Sequence, residues 1–388
     1  MTRSHFGAVQ RLGKDRYKIS MEDGRWPDGR RRRKTKTVRG TRAQAEAELA
    51  AMLGRGMPKS TTWREFWDTV VEPQISTLSP KTAHEYRRLW ARELAPRIAD
   101  DPISEMDWNR ANDVITSVHA PSVQRSAGWL LRKICNMAMR DRGRLLDANP
   151  VDRAIQYAPL RKRRKKLVLS EDVGAFLAAI RGLKYEPLII AELGAGLRPE
   201  EARALLWDDV APFELKGSTY CAINVDKALT LVGNVPLFKS TKNAPSERVA
   251  VCGEPFASRM LEIAEGKTGP LCPSGVPYDA DRPEAWYTSP ATIAHNWRQW
   301  CSRNGVEHVT DENMRSSYAT MMGEAMVPDS VVAGNMGHSD GTVKGEHYQR
   351  VTMRAKCMAA DMLAESLSDF DVTRCNQDGG KEKGNGRN

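Results

Sequence analysis

"LGAGLRPEEARALLWDDV", Leu193 to Val210, sets a glycine-rich turn, an arginine and an apolar helical face side by side. Arg198 follows the turn, and Glu201 comes three residues later. Ala202, Leu205 and Leu206 would form the apolar side of a helix. A surface arginine would look the same. The stretch gains meaning only from the charged residues that follow it.

Three later stretches supply them. "FKSTKNAPSERVAV", Phe238 to Val251, has turn chemistry in "NAPSE" between two extended runs, which puts Lys242 at the start of a hairpin. "HVTDENMRSSYATMMGEAMV", His308 to Val327, reads as a helix with Met314, Tyr318, Met321 and Met322 on a core face and Arg315 beside them. "GHSDGTVKGEHYQR", Gly337 to Arg350, is poor core material, yet it holds His338, His347 and Tyr348.

Upstream, the texture is different. "GAVQRL", "DRYKISME" and a Thr/Val-containing run after Pro27-Asp28-Gly29 predict three strands. "TRAQAEAELAAMLG" predicts a helix capped by Thr41 and ending near Gly54. Arg30, Arg31, Arg32, Arg33, Lys34 and Lys36 place a cationic run on the third strand, suited to a DNA groove. From Thr61 the pattern is helical, with Trp63, Phe66, Trp67 and Val70 at core spacing and a proline-started helix at Ser79-Pro80. The aromatics of this segment are read as core. Arg161, Lys162, Arg163, Arg164, Lys165 and Lys166 form a cationic linker that would lie along phosphates. The chain from Asp369 onward is polar and glycine-rich and reads as disordered.

The composition agrees with an anionic partner. The 388 residues carry a formal net charge of +10, and 40% are hydrophobic, enough for ordinary cores in two or three domains. The seven cysteines are scattered with no Cys-x-x-Cys pair, which argues against a zinc site and for reduced thiols. No apolar run approaches a membrane span, and the N-terminus lacks an apolar signal core, so a cytoplasmic location is expected.

Taken in order, Arg198, hairpin Lys242, helical Arg315, Gly337-His338 and Tyr348 resemble the tyrosine recombinase family, the integrases of phages and mobile elements. Gly196-Leu197-Arg198 with Glu201 and Trp207-Asp208-Asp209 matches its first motif. Lys242, Ser246 and Arg248 match its hairpin loosely. Glu312 to Thr320, "ENMRSSYAT", matches its second arginine motif. The family's usual His three residues before that arginine is Glu312 here, and the His that commonly follows it is Ser316. The resemblance implies a multidomain protein with a small α+β arm-binding domain (a three-stranded sheet plus a helix) over 1–57. An all-α core-binding domain would span 58–160, a basic linker 161–168, a mixed α+β catalytic domain 169–368 and a tail 369–388.

It also implies a chemistry. Arg198 and Arg315 would grip the non-bridging oxygens of a scissile phosphate, joined by His338. Lys242 would protonate the departing 5′-oxygen, and Tyr348 would attack to form a 3′-phosphotyrosyl link. Glu201 would be a structural carboxylate. Glu312 is expected to orient Arg315 or a neighbouring cation, with general-base help to Tyr348 as the alternative. No metal, ATP or other cofactor is expected. The implied partners are double-stranded DNA at core and arm sites, further copies of the chain in a tetramer on DNA, and an excision or directionality factor. A type IB topoisomerase-like enzyme and a non-catalytic DNA-binding relic are the competing readings. RNA binding is disfavoured for want of an aromatic stacking motif.

Overall fold

The computed structural model describes residues 7–25, 31–52, 60–141, 145–152, 155–160, 164–233, 235–240, 247–337 and 351–378. The chain divides into two compact units, Met1–Lys162 and Arg163–Asn388, with the break inside the expected basic linker. The expected arm-binding and helical segments therefore fall in one unit.

The first unit opens with an antiparallel sheet, β1 (Gly7–Gly13), β2 (Arg16–Arg25) and β3 (Arg31–Arg39), in that spatial order. Helix α1 (Arg42–Met52) covers one face. Its start is fixed by a reciprocal pair of hydrogen bonds: Gln44 N donates to Thr41 Oγ1 at 3.2 Å, and Thr41 N to Gln44 Oε1 at 2.8 Å. Tyr17, Ile19 and Ala45 form the small core beneath it.

The remainder of this unit is helical, as its periodicity predicts. A helix over Trp63–Phe66 passes through a π-helical turn at Trp67–Val71 into Glu72–Ile75. Helix α2 (Pro80–Leu89) likewise passes through a π turn at Trp90–Leu94 into Ala95–Ile98. The two turns begin on tryptophans that stack, with ring centroids 4.6 Å apart and planes 3° off parallel. Helices α3 (Trp108–Thr116) and α4 (Pro121–Arg140) complete the bundle. Trp63 and Phe66 are fully buried. Trp129 departs from the expected pattern. It is 73% exposed on the outer face of α4 and is not a core aromatic.

The second unit begins with the end of the basic linker, docked on protein. Lys165 Nζ donates to Ser316 Oγ at 3.3 Å, Lys166 pairs with Glu307 at 2.8 Å, and Val168 N donates to Ser317 Oγ at 2.9 Å. Val168 itself is buried, so apolar contact ends the linker two residues after its last lysine. Helices α5 (Val173–Ile180), α6 (Glu186–Ala195) and the short α7 (Pro199–Ala202) follow. Every residue of α6 is buried, which makes it the axis of the core. Strands β4 (Val210–Leu215), β5 (Ser218–Val225) and β8 (Arg248–Cys252) form one antiparallel sheet, with β6 (Lys227–Val232) and β7 (Val235–Ser240) as a separate hairpin. Helices α8 (Phe256–Ala264), α9 (Pro290–Asn304), α10 (Asp311–Glu324), α11 (Asp329–Met336) and α12 (Met353–Asp378) complete the unit. Helix α12 overruns the expected disordered boundary at Asp369. Elongation adds one hydrogen bond per residue once a helix is nucleated, and the first glycine pair comes only at Gly379-Gly380. Among the described residues no helix is long and apolar enough to cross a membrane.

Strand β8 lies at a sheet edge, and side chains close that edge. Asn335 accepts from Val251 N at 2.9 Å and donates to Val251 O at 3.0 Å, much as a neighbouring strand would. Lys356, on α12, donates to Val249 O at 2.5 Å. Asn335 also donates to the Tyr318 hydroxyl at 2.8 Å. Asn335→Leu keeps the volume but orphans both Val251 groups. It should lower the free energy of unfolding by about 2–4 kcal/mol, since each unpaired buried group costs about 1–3 kcal/mol. Denaturant titration of the full chain measures this. A loss below about 0.5 kcal/mol would mean water satisfies that edge.

Candidate active site

The site grows from the end of α6. Gly196 terminates that helix with φ at +66°, and a Cβ there would lie 2.4 Å from Tyr318 Cδ1, so only glycine fits. The chain then turns through Leu197 to Arg198, which precedes Pro199 at the start of α7. Arg198 and Glu201 close a reciprocal cap. Arg198 N donates to Glu201 Oε2 at 2.9 Å, and Arg198 Nη1 to Glu201 Oε1 at 2.7 Å. The other guanidinium branch, Nη2, donates to Gly337 O at 2.9 Å.

Glu201 has a second cation that the sequence motif alone does not single out. Arg248, at the start of β8, donates to both its oxygens, at 3.2 and 2.8 Å, and its Nε donates to Asn335 O at 2.6 Å. Both side chains are nearly sealed, at 5% and 3% exposure, whereas Arg198 keeps 31%. Arg198 is thus the guanidinium that faces outward. Burial raises the Glu201 carboxyl, but the hydrogen bonds and charge of Arg248, with those from Arg198, outweigh it and hold the group below the usual carboxylate range.

Arg315 enters from α10, four residues after the first helical residue, Asp311. It is buried, and its Nη1 donates to Gly196 O. Burial, then the nearby charges of Arg198 and Arg248, pull its guanidinium down to about 10. Three guanidiniums therefore share the neighbourhood of Glu201. Such a cluster is poised to receive an oxyanion, because added negative charge relieves the repulsion among its members.

The structure corrects the expectation for Glu312. Its side chain is exposed in the first turn of α10 and, among the described residues, forms no hydrogen bond or ion pair with Arg315. Arg315 points inward to Gly196 while Glu312 projects to solvent, where the positive end of the helix favours a carboxylate. Ser316, at the second departure from the family motif, donates to Glu312 O at 3.0 Å and accepts from Lys165. His308 lies tilted over Trp297, 6.4 Å between ring centroids. Burial, then the charge of Arg298, lowers its pKa.

Lys242, His338 and Tyr348 lie outside the described residues, as do Arg30, Arg161, Lys162 and Arg163. The ends of the segment carrying His338 and Tyr348 are placed. Gly337, with φ at +70°, is held at its carbonyl by Arg198, and a Cβ there would meet Arg248 Nη1 at 2.6 Å. Val351 packs so closely on Gly334 that a Cβ at Gly334 would lie 2.5 Å from Val351 Cγ2. The chain both leaves and rejoins the described structure at α11.

The basic strand of the first unit is resolved into two faces. Register pairs Ile19 with Lys36, Tyr17 with Val38, and Lys18 with Thr37. Lys34, Lys36 and Val38 therefore share the α1 side, where Lys36 pairs with Glu48. The opposite face carries Arg16, Lys18, Arg33 and Arg39, all exposed, with Arg16 directly across from Arg39. Of the expected DNA-binding run, Arg33 is on the open face. Arg31 and Arg32 are in the strand, but their side chains lie outside the described set.

The fold is that of DNA integrases of the tyrosine recombinase type. A fragment of the Tn1549 transposon integrase, solved with a circular-intermediate DNA, superposes with a TM-score of 0.60 at 15% identity, covering 79% of this chain and 100% of that one. The same integrase with transposon right-end DNA gives 0.58 at 16% identity, covering 78% and 100%. A lambda integrase tetramer on a Holliday junction gives 0.50 at 14% identity, covering 90% and 97%. No family model and no curated protein matches the sequence.

Glu201→Gln tests the cluster. The change leaves the buried Arg248 and the part-exposed Arg198 facing a neutral amide, and should cost about 3–5 kcal/mol at pH 7, as for one broken buried pair. The folded carboxyl has a depressed pKa, so its contribution is present above the unfolded value, near 4.5, and is lost as pH falls through the folded value. The gap between wild type and variant in denaturant titrations should narrow below pH 4.5. A gap independent of pH between 7 and about 3.5 would mean that Glu201 stabilises by packing alone.

Proposed function

We propose that this protein is a site-specific DNA recombinase, an integrase of a phage or other mobile element, working through a 3′-phosphotyrosyl intermediate. The observation that carries the reading is the convergence of Arg198 and Arg248 on Glu201, with Arg315 near enough to feel their charges and Arg198 bonded to Gly337 immediately before His338. Arg198 and Arg315 grip the scissile phosphate, and His338 adds a hydrogen bond. Charge grows on the non-bridging oxygens as Tyr348 attacks, so guanidinium forks bind the transition state better than the ground state. The tyrosine oxygen forms a bond to phosphorus and its proton passes to water, while the 5′-oxygen leaves with the electron pair of the broken P–O bond and takes a proton from Lys242. The ester linkage conserves the energy of the broken bond, and reversal of the step rejoins DNA.

Arg248 and Glu201 serve as the frame that orients Arg198. Glu312, exposed and apart from Arg315, has no assigned step. The open face of the N-terminal sheet, with Arg16, Lys18, Arg33 and Arg39, is the arm-site contact in this reading, and the helical segment with the catalytic unit grips the core site. By analogy with the lambda integrase tetramer on a Holliday junction, the working form is a tetramer on DNA. The arm-site contact favours an integrase over a relaxing enzyme of the topoisomerase IB type, which need not hold two distant sites. The intact Arg198–Glu201–Arg248 frame disfavours a decayed, non-catalytic relic.

Nicked duplexes from a randomised pool, incubated with wild-type protein and recovered as covalent complexes, supply the substrate. Tyr348→Phe should bind these duplexes with unchanged affinity and trap none of them on denaturing gels, because only the hydroxyl is lost. Trapping by the Phe variant would move the nucleophile elsewhere, and no trapping by wild type would overturn the enzyme reading.

Replacing Arg16, Lys18, Arg33 and Arg39 together by Glu should abolish binding to arm-type duplex while sparing core cleavage. Each neutralised phosphate contributes about 0.9 to the salt slope, so the wild-type slope should be steep and the variant's near zero. Equal arm affinity and slope for the two proteins would exclude this face.

A further inference from the structure

A second charged group lies inside the catalytic unit, behind the phosphate-facing cluster. Arg203 caps the C-terminal end of α7, whose N-cap is Arg198. Its Nη2 donates to Asp311 Oδ2, on the first residue of α10, four positions before Arg315. Both side chains are largely buried, at 14% and 17% exposure. Arg203 Nε is buried and has no hydrogen-bond partner among the described residues. It borders a cavity of about 10 Å³ that is also lined by Asp311 and by Glu192 of α6. Burial, then the negative charge of Asp311, drives the Glu192 carboxyl well above its usual range, which favours its uncharged form. Asp311 is thus the counterion that compensates Arg203.

A surface ion pair would merit little weight. This one is mostly dehydrated and joins the two helices that carry the phosphate-gripping guanidiniums. Arg315 itself donates to Gly196 O, in the turn that leads from α6 to Arg198. The Arg203–Asp311 pair adds a tie between the end of α7 and the start of α10, so the spacing and orientation of the two guanidiniums are constrained together. Bidentate recognition of one phosphate by two forks is sensitive to both.

We propose that Arg203 and Asp311 are positioning residues for strand cleavage: their ion pair locks α10 against α7 so that Arg198 and Arg315 stand at the separation one phosphate requires. The proposal rests on the recombinase reading above. It assigns neither residue a contact with DNA, and it concerns a cavity set apart from the Glu201 cluster.

Single-turnover cleavage of the duplexes trapped by wild-type protein tests it, with DNA affinity and thermal midpoint measured in parallel. Asp311→Asn and Arg203→Met should each slow cleavage at saturating DNA by about 10²-fold, the scale set by small misplacements of reacting groups. DNA affinity should stay within about twofold, because phosphate contacts spread over the interface dominate it. The double variant Arg203→Met/Asp311→Asn should cleave no more slowly than either single variant, because each single change already breaks the tie. Arg203→Lys, which keeps the charge but not the fork, should recover part of the rate. Single-variant rates within about threefold of wild type, additive losses in the double variant, or losses of affinity and rate in parallel would each overturn the proposal. Should Arg203→Met fail to fold, Asp311→Asn, which is nearly isosteric, decides by the same rate criterion. Failure of wild type to trap any duplex defeats the recombinase reading, an outcome distinct from normal cleavage by the variants.

Discussion

The Glu201 carboxylate is the constraint around which the second unit is arranged. A buried anion is tolerated only if it is paired and hydrogen-bonded, and Glu201 is both, with Arg198 on one side and Arg248 on the other. The arrangement binds three distant parts of the chain: the turn after α6, the first residue of β8 and, through the second branch of Arg198, the end of α11. It also divides labour between two cations of the same type. Arg248 is consumed by the frame, and Arg198 is held by it with its outer face still open. Arg315 completes the group with a guanidinium whose charged form is disfavoured by burial and by the charges of its two neighbours, which bring it down to about 10.

Helix α11 is the second organising element. Asn335 closes the edge of β8 and reaches Tyr318 on α10, and its own carbonyl accepts from Arg248. Two residues later Gly337 adopts a left-handed conformation and accepts from Arg198. Sheet edge, helix end and cation cluster therefore depend on two positions, Asn335 and Gly337. A change in either would be felt at the other, because the shared partner Arg248 and the cluster it joins couple their energies.

Much of this was legible in the sequence, and the boundary is instructive. Arg198 with Glu201 was readable because both lie in one local turn. The helices of the first unit followed from their apolar spacing, and Thr41 capped α1 as its side chain predicts. The tie from Arg248 to Glu201 spans 47 residues and depends on where a sheet edge falls, so local pattern did not reveal it. Arg203 and Asp311 are 108 residues apart, and each reads alone as a surface charge. Trp129 was assigned to the core by composition, although its helical face points outward. Glu312 was assigned to Arg315 by spacing alone, but the fold turns Arg315 toward a backbone carbonyl instead.

The N-terminal strand shows how charge count and charge display can part. Read as composition, Arg31 to Lys36 is one block of cations, but the pleat of β3 sends Arg33 to one side and Lys34 and Lys36 to the other. Deleting a single residue just ahead of that run would leave its amino-acid content almost untouched. It would nevertheless exchange the two sides, turning Val38 outward and an arginine toward Tyr17 and Ile19. This stretch should therefore accept substitutions among cations far more readily than insertions or deletions, so its length is under tighter control than its spelling.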